Sequence, residues 1–417
     1  MPLPIANPEA SPHWQAAHPT YAAAFRCIGP ACEDPCCGDW DIPLDQATYA
    51  AYQRFPPGKL SALVANFVSI SPAGGPPGLF AQIRLSPSGL CPFWDPDHLC
   101  GIQKEHGPQL LSATCSIYPR SLSHVDGVLE GTLSLSCPEA ARNVLLDPNF
   151  LRSAGDLHSG DFRTDNVYEL AHTPGMPQRS FSAVRAHILA MARDRTHPIA
   201  HRLLAIGALL QRLQPVVAAG GDGAVPAFLA AYRPSPPALD STPANPTLKL
   251  DVLLKLANDR LCEPSCGKRF RAIFFAFVEG VASSGDDIAS LRHAEQSWFR
   301  PFCERSPHIL ENYLLNYLLQ NLFPVGRAAN SDFAPLTMFD EFLLLATQFA
   351  LLETLLIGLA GRYQHDFAEE HIVQAIQSYT REVEHYPPVL HSILHHIQSS
   401  RLDSLAGMAL LLESWNG

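Results

Sequence analysis

The sequence predicts a mainly α protein in which a small, loop-rich α+β cysteine-cluster domain precedes an all-α helical domain. Two observations predict this fold class. Eight of the eleven cysteines lie in the first third of the chain, between Cys27 and Cys137. From Phe181 onward, apolar residues recur with the period of an α-helix, and strand signals are nearly absent.

The length of the chain and the position of its glycine- and proline-rich segment predict its domains. A chain of 417 residues is long enough for two or three domains of about 150 residues each. Residues 152–180 are polar and interrupted by glycine and proline, which is typical of a boundary. We therefore assign residues 1–150 to a cysteine-rich metal or iron–sulfur domain, 151–180 to a linker and 181–417 to the helical domain.

Composition and charge limit the classes of function. Hydrophobic residues make up 47% of the chain and charged residues 17%, so it can bury a sizeable core. The formal net charge of −11 argues against nucleic acid as a partner and suits a basic, lysine-bearing protein. The first ten residues lack the basic and apolar regions of a secretory signal. No run approaches 18 uninterrupted apolar residues, so we expect a cytoplasmic protein without membrane insertion.

Short elements fill the first third. Residues 1–20 are expected to be irregular, and Asp45 is the predicted N-cap of a short helix ending at Tyr52. A Ser-Pro-Ser-Gly turn between residues 83–85 and 90–94 predicts a small hairpin that carries Cys91. A short helix or turn is expected after Cys100.

A second hairpin and a helix close the first third. Asp126-Gly127 lies between two alternating apolar runs, 121–125 and 128–135, which is a strong hairpin signal. Pro138 and Glu139 then open a helix. This places the Cys137 sulfur at a helix N-terminus, where the dipole is expected to favour the thiolate.

Eleven helices are predicted from the apolar period beyond residue 180. The most convincing are those that contain residues 203–213 and 339–359, which are apolar on several faces, as buried helices are. The predicted ranges are 181–193, 197–218, 223–232, 247–260, 266–283, 286–298, 308–322, 337–361, 367–383, 387–399 and 402–414.

The clustered cysteines are interpreted as metal ligands. A cytosolic chain keeps its thiols reduced, which favours metal over disulfides or free thiols. Thiolates suit both zinc and iron–sulfur centres, and eight sulfurs equal two four-ligand sites or one site with spares. The candidate ligands are Cys27, Cys32, Cys36, Cys37, Cys91, Cys100, Cys115 and Cys137.

Familiar cofactor motifs are absent from this pattern. The radical S-adenosylmethionine triplet, Cys-x3-Cys-x2-Cys, fails because Asp39 occupies its third position after Cys32 and Cys36. The bacterial ferredoxin run Cys-x2-Cys-x2-Cys is not found. No glycine-rich loop follows a strand and opens a helix, which argues against a Rossmann-type fold.

Other candidate residues have plainer interpretations. Cys262, Cys266 and Cys303 are interpreted as buried free thiols, and His395-His396 as a solvated or core pair. His98 and His106 lie close to cluster cysteines in the sequence. We expect them to form hydrogen bonds next to a metal site rather than to bind the metal themselves. Within the cysteine stretch, Asp34 is expected to orient backbone amides and Trp40 to shield the site.

The cysteine motifs resemble those of flagellin lysine-N-methylases. The resemblance rests on Phe25–Asp45, Gly89–Trp94, Leu99–Gln103, Leu111–Arg120 and Leu135–Arg142, and it continues at Pro198–Gly207 and Glu311–Pro324. The first third is also similar to a wider class of zinc- or iron-chelating cysteine-cluster proteins. The family resemblance implies methyl transfer from S-adenosylmethionine to flagellin lysines in the cytoplasm. It also implies a [4Fe–4S] cluster on the N-terminal cysteines, with zinc as the alternative.

Two other functions remain open from the sequence: a non-enzymatic, metal-stapled interaction module and a redox or electron-transfer protein. For the methylase, we predict a ligand site between the two domains, because ligand sites favour such interfaces. Arg120 is the candidate there, since its guanidinium suits the carboxylate of S-adenosylmethionine. The alternative is that Arg120 makes a structural contact that supports the cysteine loops.

Overall fold

Helices make up most of the structure, a computed structural model that describes residues 19–38, 42–71, 79–152, 157, 167–170, 178–220, 223–233, 245–282, 285–326 and 336–416. This confirms the predicted fold class. The predicted 151–180 linker, the 1–20 lead-in and Trp40 lie almost wholly outside the described residues.

The eleven helices predicted beyond residue 180 are all present, and their ends differ from the predictions by no more than four residues. One helix, α12, was not predicted. The helices are α6 Gln178–Ala192, α7 Ile199–Ala219, α8 Ala224–Ala231, α9 Pro246–Leu261, α10 Lys268–Val281, α11 Asp287–Ala294, α12 Arg300–Arg305, α13 His308–Gln320, α14 Met338–Tyr363, α15 Glu369–Tyr379, α16 Pro387–Ser399 and α17 Leu405–Leu412.

Two predicted helices end in a π-helical turn instead of continuing as α-helix. Helix α11 runs into the π-turn Glu295–Phe299, and helix α15 runs into the π-turn Thr380–Glu384. Such turns are rare and occur frequently at functional sites. Each of these two turns lines a cavity described below.

Helix α14 is the centre of the helical part. Thr337 and Asp340 form its capping box, and the helix packs against α7, α10, α11 and α17. With its short continuation to Asp366, α14 is long and apolar enough to cross a membrane, which sequence inspection had not found. However, 89% of its most apolar window is buried inside the protein, as in a core helix.

Two small sheets occupy the first third, with five short helices around them. The first sheet has the antiparallel order β1-β3-β2; the second has the order β5-β4-β6, in which β4 and β6 are parallel. The strands are β1 Ile42–Leu44, β2 Val68–Ile70, β3 Ala81–Ile83, β4 Arg120–Val125, β5 Val128–Leu133 and β6 Tyr168–Glu169. The helices are α1 Gln46–Tyr52, α2 Lys59–Phe67, α3 Gly101–His106, α4 Ala113–Ile117 and α5 Pro138–Leu145.

One predicted hairpin is confirmed and the other is wrong in its pairing. β4 and β5 pair around Asp126 and Gly127, whose φ angles of 51° and 80° fit a tight hairpin turn. The turn after Ser86 also forms, but Ile83 pairs with β1 and β2, while Leu90 bridges to Gly38. Leu90 is therefore drawn to the cysteine stretch, a long-range contact that local pattern does not reveal.

The hydrophobic residues form two separate cores. The larger core contains the helices of the second half together with β4, β5 and α5. The smaller core contains β1, β3 and α1, with Cys91 buried inside it. Four of the eight candidate metal ligands lie in or beside the smaller core.

Candidate functional site

Four cysteines surround the smaller core: Cys37, Cys91, Cys100 and Cys115, here called the small-core thiols. The Cys91 amide donates to the Cys37 carbonyl oxygen at 2.8 Å, and Ser112 caps the turn that presents Cys115. Burial raises the pKa of Cys91 to about 11 and that of Cys115 to about 12, and the other thiolates raise both further. Without a positive partner, these thiols stay protonated.

The remaining four are Cys27, Cys32 and Cys36 in the first cysteine stretch and Cys137 at the start of α5, and they are here called the loop thiols. Burial raises the pKa of Cys32, and Cys36 and Cys27 add to the effect. Burial likewise raises the pKa of Cys137 to about 12. The expected thiolate at this helix N-terminus is therefore wrong, because burial outweighs the two backbone amides of α5 that donate to the sulfur.

Adjacent Cys36 and Cys37 join the two groups. The Cys37 thiol donates to the Cys36 sulfur, which lowers the pKa of Cys36 with help from the Arg381 charge and raises the pKa of Cys37. Cys36 also acts electrostatically on Cys91, Cys100, Cys115, Cys32 and Cys137. Cys36 therefore lies near enough to these five thiols to affect their protonation, and the convergence of all eight cysteines stays a prediction.

The donor chemistry of these thiols suits a soft metal centre. All eleven cysteines are free thiols, so no disulfide explains the clustering. Soft thiolates are the ligands that zinc and iron–sulfur centres prefer. Among the described residues, however, no group of three or more His, Cys, Asp or Glu side chains is arranged to hold a metal ion. The eight thiols supply suitable donor atoms, but among the described residues they are not arranged around one metal ion.

A cavity of about 580 Å³, here called the interface pocket, opens between the cysteine loops and the helical part. It lies where the sequence predicted a ligand site. The first third contributes Cys36, Tyr118, Arg120 and Ser134, and the helical part contributes Arg260, Arg381, Glu382, Glu384, His385 and Tyr386.

Arg381 holds the cysteine loop against the helical part. Its guanidinium pairs with Asp34 at 3.0 Å and donates to the Gly38 carbonyl oxygen at 3.1 Å. Asp34 also accepts from Gln377 at 2.7 Å. Asp34 therefore fixes the loop through side chains from helix α15 and its π-turn, instead of orienting backbone amides as expected.

Polar side chains of the interface pocket are held by specific partners. His385 Nε2 lies 3.2 Å from Ser134 Oγ, across the boundary between the two parts. Tyr313 donates to Glu384 Oε1 at 2.6 Å, and Arg260 pairs with Glu382. The pocket thus has carboxylates, a histidine and arginines at fixed positions.

Arg120 lines the interface pocket, but two of its nitrogens are engaged elsewhere. Nη2 donates to the Phe25 carbonyl oxygen at 2.9 Å and Nε to that of Ala22 at 3.2 Å. The guanidinium carbon also lies 5.2 Å from the centre of the Phe25 ring. These contacts hold the chain just before Cys27, which favours the structural interpretation of Arg120 over cofactor binding.

The remaining candidate residues, three histidines and three cysteines, belong to neither thiol group. His98 stacks on Trp94 at 5.0 Å between ring centres, and His106 on Phe55 at 4.3 Å. His396 lies 2.9 Å from Asp259. Cys262 is exposed, so its predicted burial is wrong, whereas Cys266 is buried and Cys303 partly so.

Sequence reasoning missed the π-turn Thr380–Glu384 and the residues after it. The stretch from Arg381 to Tyr386 supplies five of the pocket residues named above. A signal was present: three charged side chains, Arg381, Glu382 and Glu384, lie at or just past the end of the predicted helix 367–383, after the uncharged run from Ile372 to Thr380. Charges at the end of an apolar helix indicate either a solvated end or a built site.

Comparisons with known proteins place the chain among flagellar lysine methylases. The family model of the FliB lysine N-methylase C-terminal domain matches residues 185–411. The lysine-N-methylase of Salmonella typhimurium LT2 is 33% identical over 132 residues, which are 31% of this chain and 32% of that protein. The flagellar biosynthetic protein FliU of Salmonella muenchen is 33% identical over 132 residues, or 77% of its length. The match thus spans about a third of the Salmonella typhimurium methylase. No solved structure matches.

Proposed function

The chain belongs to the FliB lysine N-methylase family, and from this premise we propose that it transfers methyl groups from S-adenosylmethionine to lysines of flagellin in the cytoplasm. The proposal is supported by the names of the relatives, which join lysine methylation to flagellar biosynthesis. The acidic net charge suits a substrate recognised through its lysines.

The interface pocket is the observation that carries this proposal. A sulfonium donor is cationic and is favoured by aromatic faces and carboxylates. The pocket offers both, through Tyr118 and Tyr386 and through Glu382 and Glu384. Arg120 and Arg381 add positive charge to the same pocket, although both guanidiniums already bind groups of the protein. One cavity therefore holds the groups that a methyl donor of this kind needs.

The transfer needs a neutral lysine. The nitrogen lone pair forms the new N–C bond while the C–S bond breaks, and its electron pair remains on sulfur. The ammonium, with an ordinary pKa of about 10.4, must first lose a proton. His385 is the proposed acceptor, because it lines the pocket, Ser134 orients its ring, and imidazole titrates near neutral pH.

Four of the eight cysteines are the proposed ligands of a [4Fe–4S] cluster, with zinc as the alternative. Two four-thiol groups fit the donor set of such centres. When bound, the cluster would supply a thiolate-held, redox-sensitive centre beside the interface pocket. The part of the chain that it would fix is the loop carrying Cys36 and Gly38, which forms one wall of that pocket.

The decisive experiment is anaerobic purification, iron and sulfide analysis, and incubation with flagellin and methyl-labelled S-adenosylmethionine. We expect a brown protein and label on flagellin lysines. Cys100→Ser removes a small-core thiol and Cys137→Ser a loop thiol, so their iron contents show which group holds the cluster. The exposed Cys262 provides the control, since Cys262→Ser should keep the metal. Flagellin that binds without gaining label would instead indicate an interaction module.

A further inference from the structure

A second cavity lies within the helical part and shares no lining residue with the interface pocket. It measures about 730 Å³ and is here called the helical cavity. Helices α7, α12, α13 and α14 and the π-turn Glu295–Phe299 form its walls. The second of the two π-turns in the described chain thus also borders a cavity, as the first does.

Glu353 is the unusual group of this cavity. It lies on helix α14, is partly buried and lines the cavity. Among the described residues it has no hydrogen-bond or ion-pair partner, although buried carboxylates are normally paired. Burial raises the pKa of Glu353 to about 7, so the carboxyl is poised between its two protonation states near neutral pH.

Two other charged groups of the lining, Arg202 and Glu295, have partners, and the buried Lys249, which is not part of the lining, lies near enough to Glu353 to lower its pKa. Arg202 pairs with Glu311 at 2.7 Å and also donates to two backbone carbonyls. Glu295 accepts from Ser414 and from Asn416, each at 2.8 Å, and Arg300 lies 3.7 Å away. Glu353 and Glu413 therefore remain as the lining acids whose side chains have no partner among the described residues.

The lining is partly apolar. Ile199, Phe299, Leu310 and Leu412 line the cavity together with Glu353, beside the polar His201 and Ser306. Apolar walls next to a carboxyl without a partner are complementary to a flexible chain of methylenes ending in an ammonium group. A phosphate or a carboxylate ligand would meet Glu353 as a like charge.

We propose that the helical cavity binds a primary alkylammonium group, the side chain of a lysine of the protein substrate, at a docking position separate from the interface pocket. That the lysine belongs to the protein substrate rests on the proposed function. The ability of the cavity to bind an alkylammonium group does not. The stem packs against the apolar walls and the ammonium pairs with Glu353. A substrate with several surface lysines would then be held at two places.

The test uses the full-length protein and n-butylammonium chloride as the probe, titrated calorimetrically at pH 8, with n-butanol as the uncharged analogue. We expect saturable binding of n-butylammonium and none of n-butanol. Glu353→Gln should weaken binding about tenfold or more, because it removes the charged partner. Ala200→Phe should block the cavity by filling it. Glu279→Gln, at an exposed ion pair on α10, is the control and should bind as the native protein does.

A wild-type protein that fails to bind n-butylammonium, or a Glu353→Gln variant that binds it equally well, would overturn the inference. In the flagellin assay, Glu353→Gln should raise the KM for flagellin and leave kcat unchanged; a fall in kcat alone would contradict a docking role. If flagellin gains no label while Glu353-dependent ammonium binding persists, the proposed function fails and the cavity assignment stands.

Discussion

The two hydrophobic cores differ in what holds them together. The larger core is made of long helices such as α14, in which nearly every residue is buried. The smaller core has three-residue strands and short helices, and four thiols lie in or beside it. Small cores usually need an additional crosslink or metal for stability. The contrast teaches that apolar burial suffices for the helical part, whereas we expect the stability of the cysteine part to depend on the proposed metal.

Metal removal tests this contrast most directly and has the largest expected effect. Chelation of the proposed metal under anaerobic conditions should unfold the smaller core, since binding energy in a small metal domain is largely folding energy. Limited proteolysis with mass spectrometry should then show new cleavage within residues 42–111. Residues beyond 178 should stay protected. Equal protection of both regions after metal loss would show that the smaller core is stable alone.

The helical part should instead be destabilised by a substitution that disturbs its helix packing. Gly280 on α10 meets Gly358 on α14, and a Cβ at Gly280 would lie 2.0 Å from the Gly358 carbonyl oxygen. Gly280→Ala must therefore push the two helices apart, and we expect a loss of about 3 kcal/mol or more in the free energy of unfolding. Urea denaturation followed by far-UV circular dichroism measures this loss.

Gly223 provides the control for that substitution. It precedes α8, its φ is −109°, and a Cβ there would meet no atom within 4 Å. Gly223→Ala should change the free energy of unfolding by less than about 0.5 kcal/mol. If Gly280→Ala were equally mild, the close approach of α10 and α14 would not be what fixes the helical core.

The same contrast explains how much could be predicted from the sequence. In the helical part, apolar periodicity is a local property, so helices such as α16 were predicted to the residue. The Asp126-Gly127 hairpin followed from local turn chemistry in the same way. The pairing of Leu90 with Gly38 could not be predicted, because it depends on where the cysteine stretch folds back.

The candidate site shows the same division between local and long-range information. The cysteine spacing predicted convergence, and domain order predicted an interface pocket. The protonation of Cys137 was mispredicted because the helix dipole is visible in sequence whereas burial is not. Arg381 and His385 were missed because a π-turn changes which side chains face the pocket, and apolar period does not reveal such turns.

The smallest expected effect concerns the charge of Glu353 inside the larger core. Its pKa is raised by burial from 4.5 to about 7, with Glu295 adding to the rise and Lys249 opposing it. The folded protein thus holds a proton that the unfolded chain releases between these values. Stability should therefore fall as pH rises from about 4.5 to about 7, and the loss should persist at higher pH.

Glu353→Gln removes this titration without changing the side-chain shape. The variant should match the native protein near pH 4.5 and exceed it at pH 8 by on the order of 2 kcal/mol, a value reduced for the water that can enter the cavity. Urea denaturation at both pH values measures the difference, and Glu279→Gln on α10 is the exposed control. A difference that does not grow with pH would mean that Glu353 is ionised and solvated throughout. The larger core would then hold a water-filled acidic cavity, and its stability would not depend on the charge of Glu353.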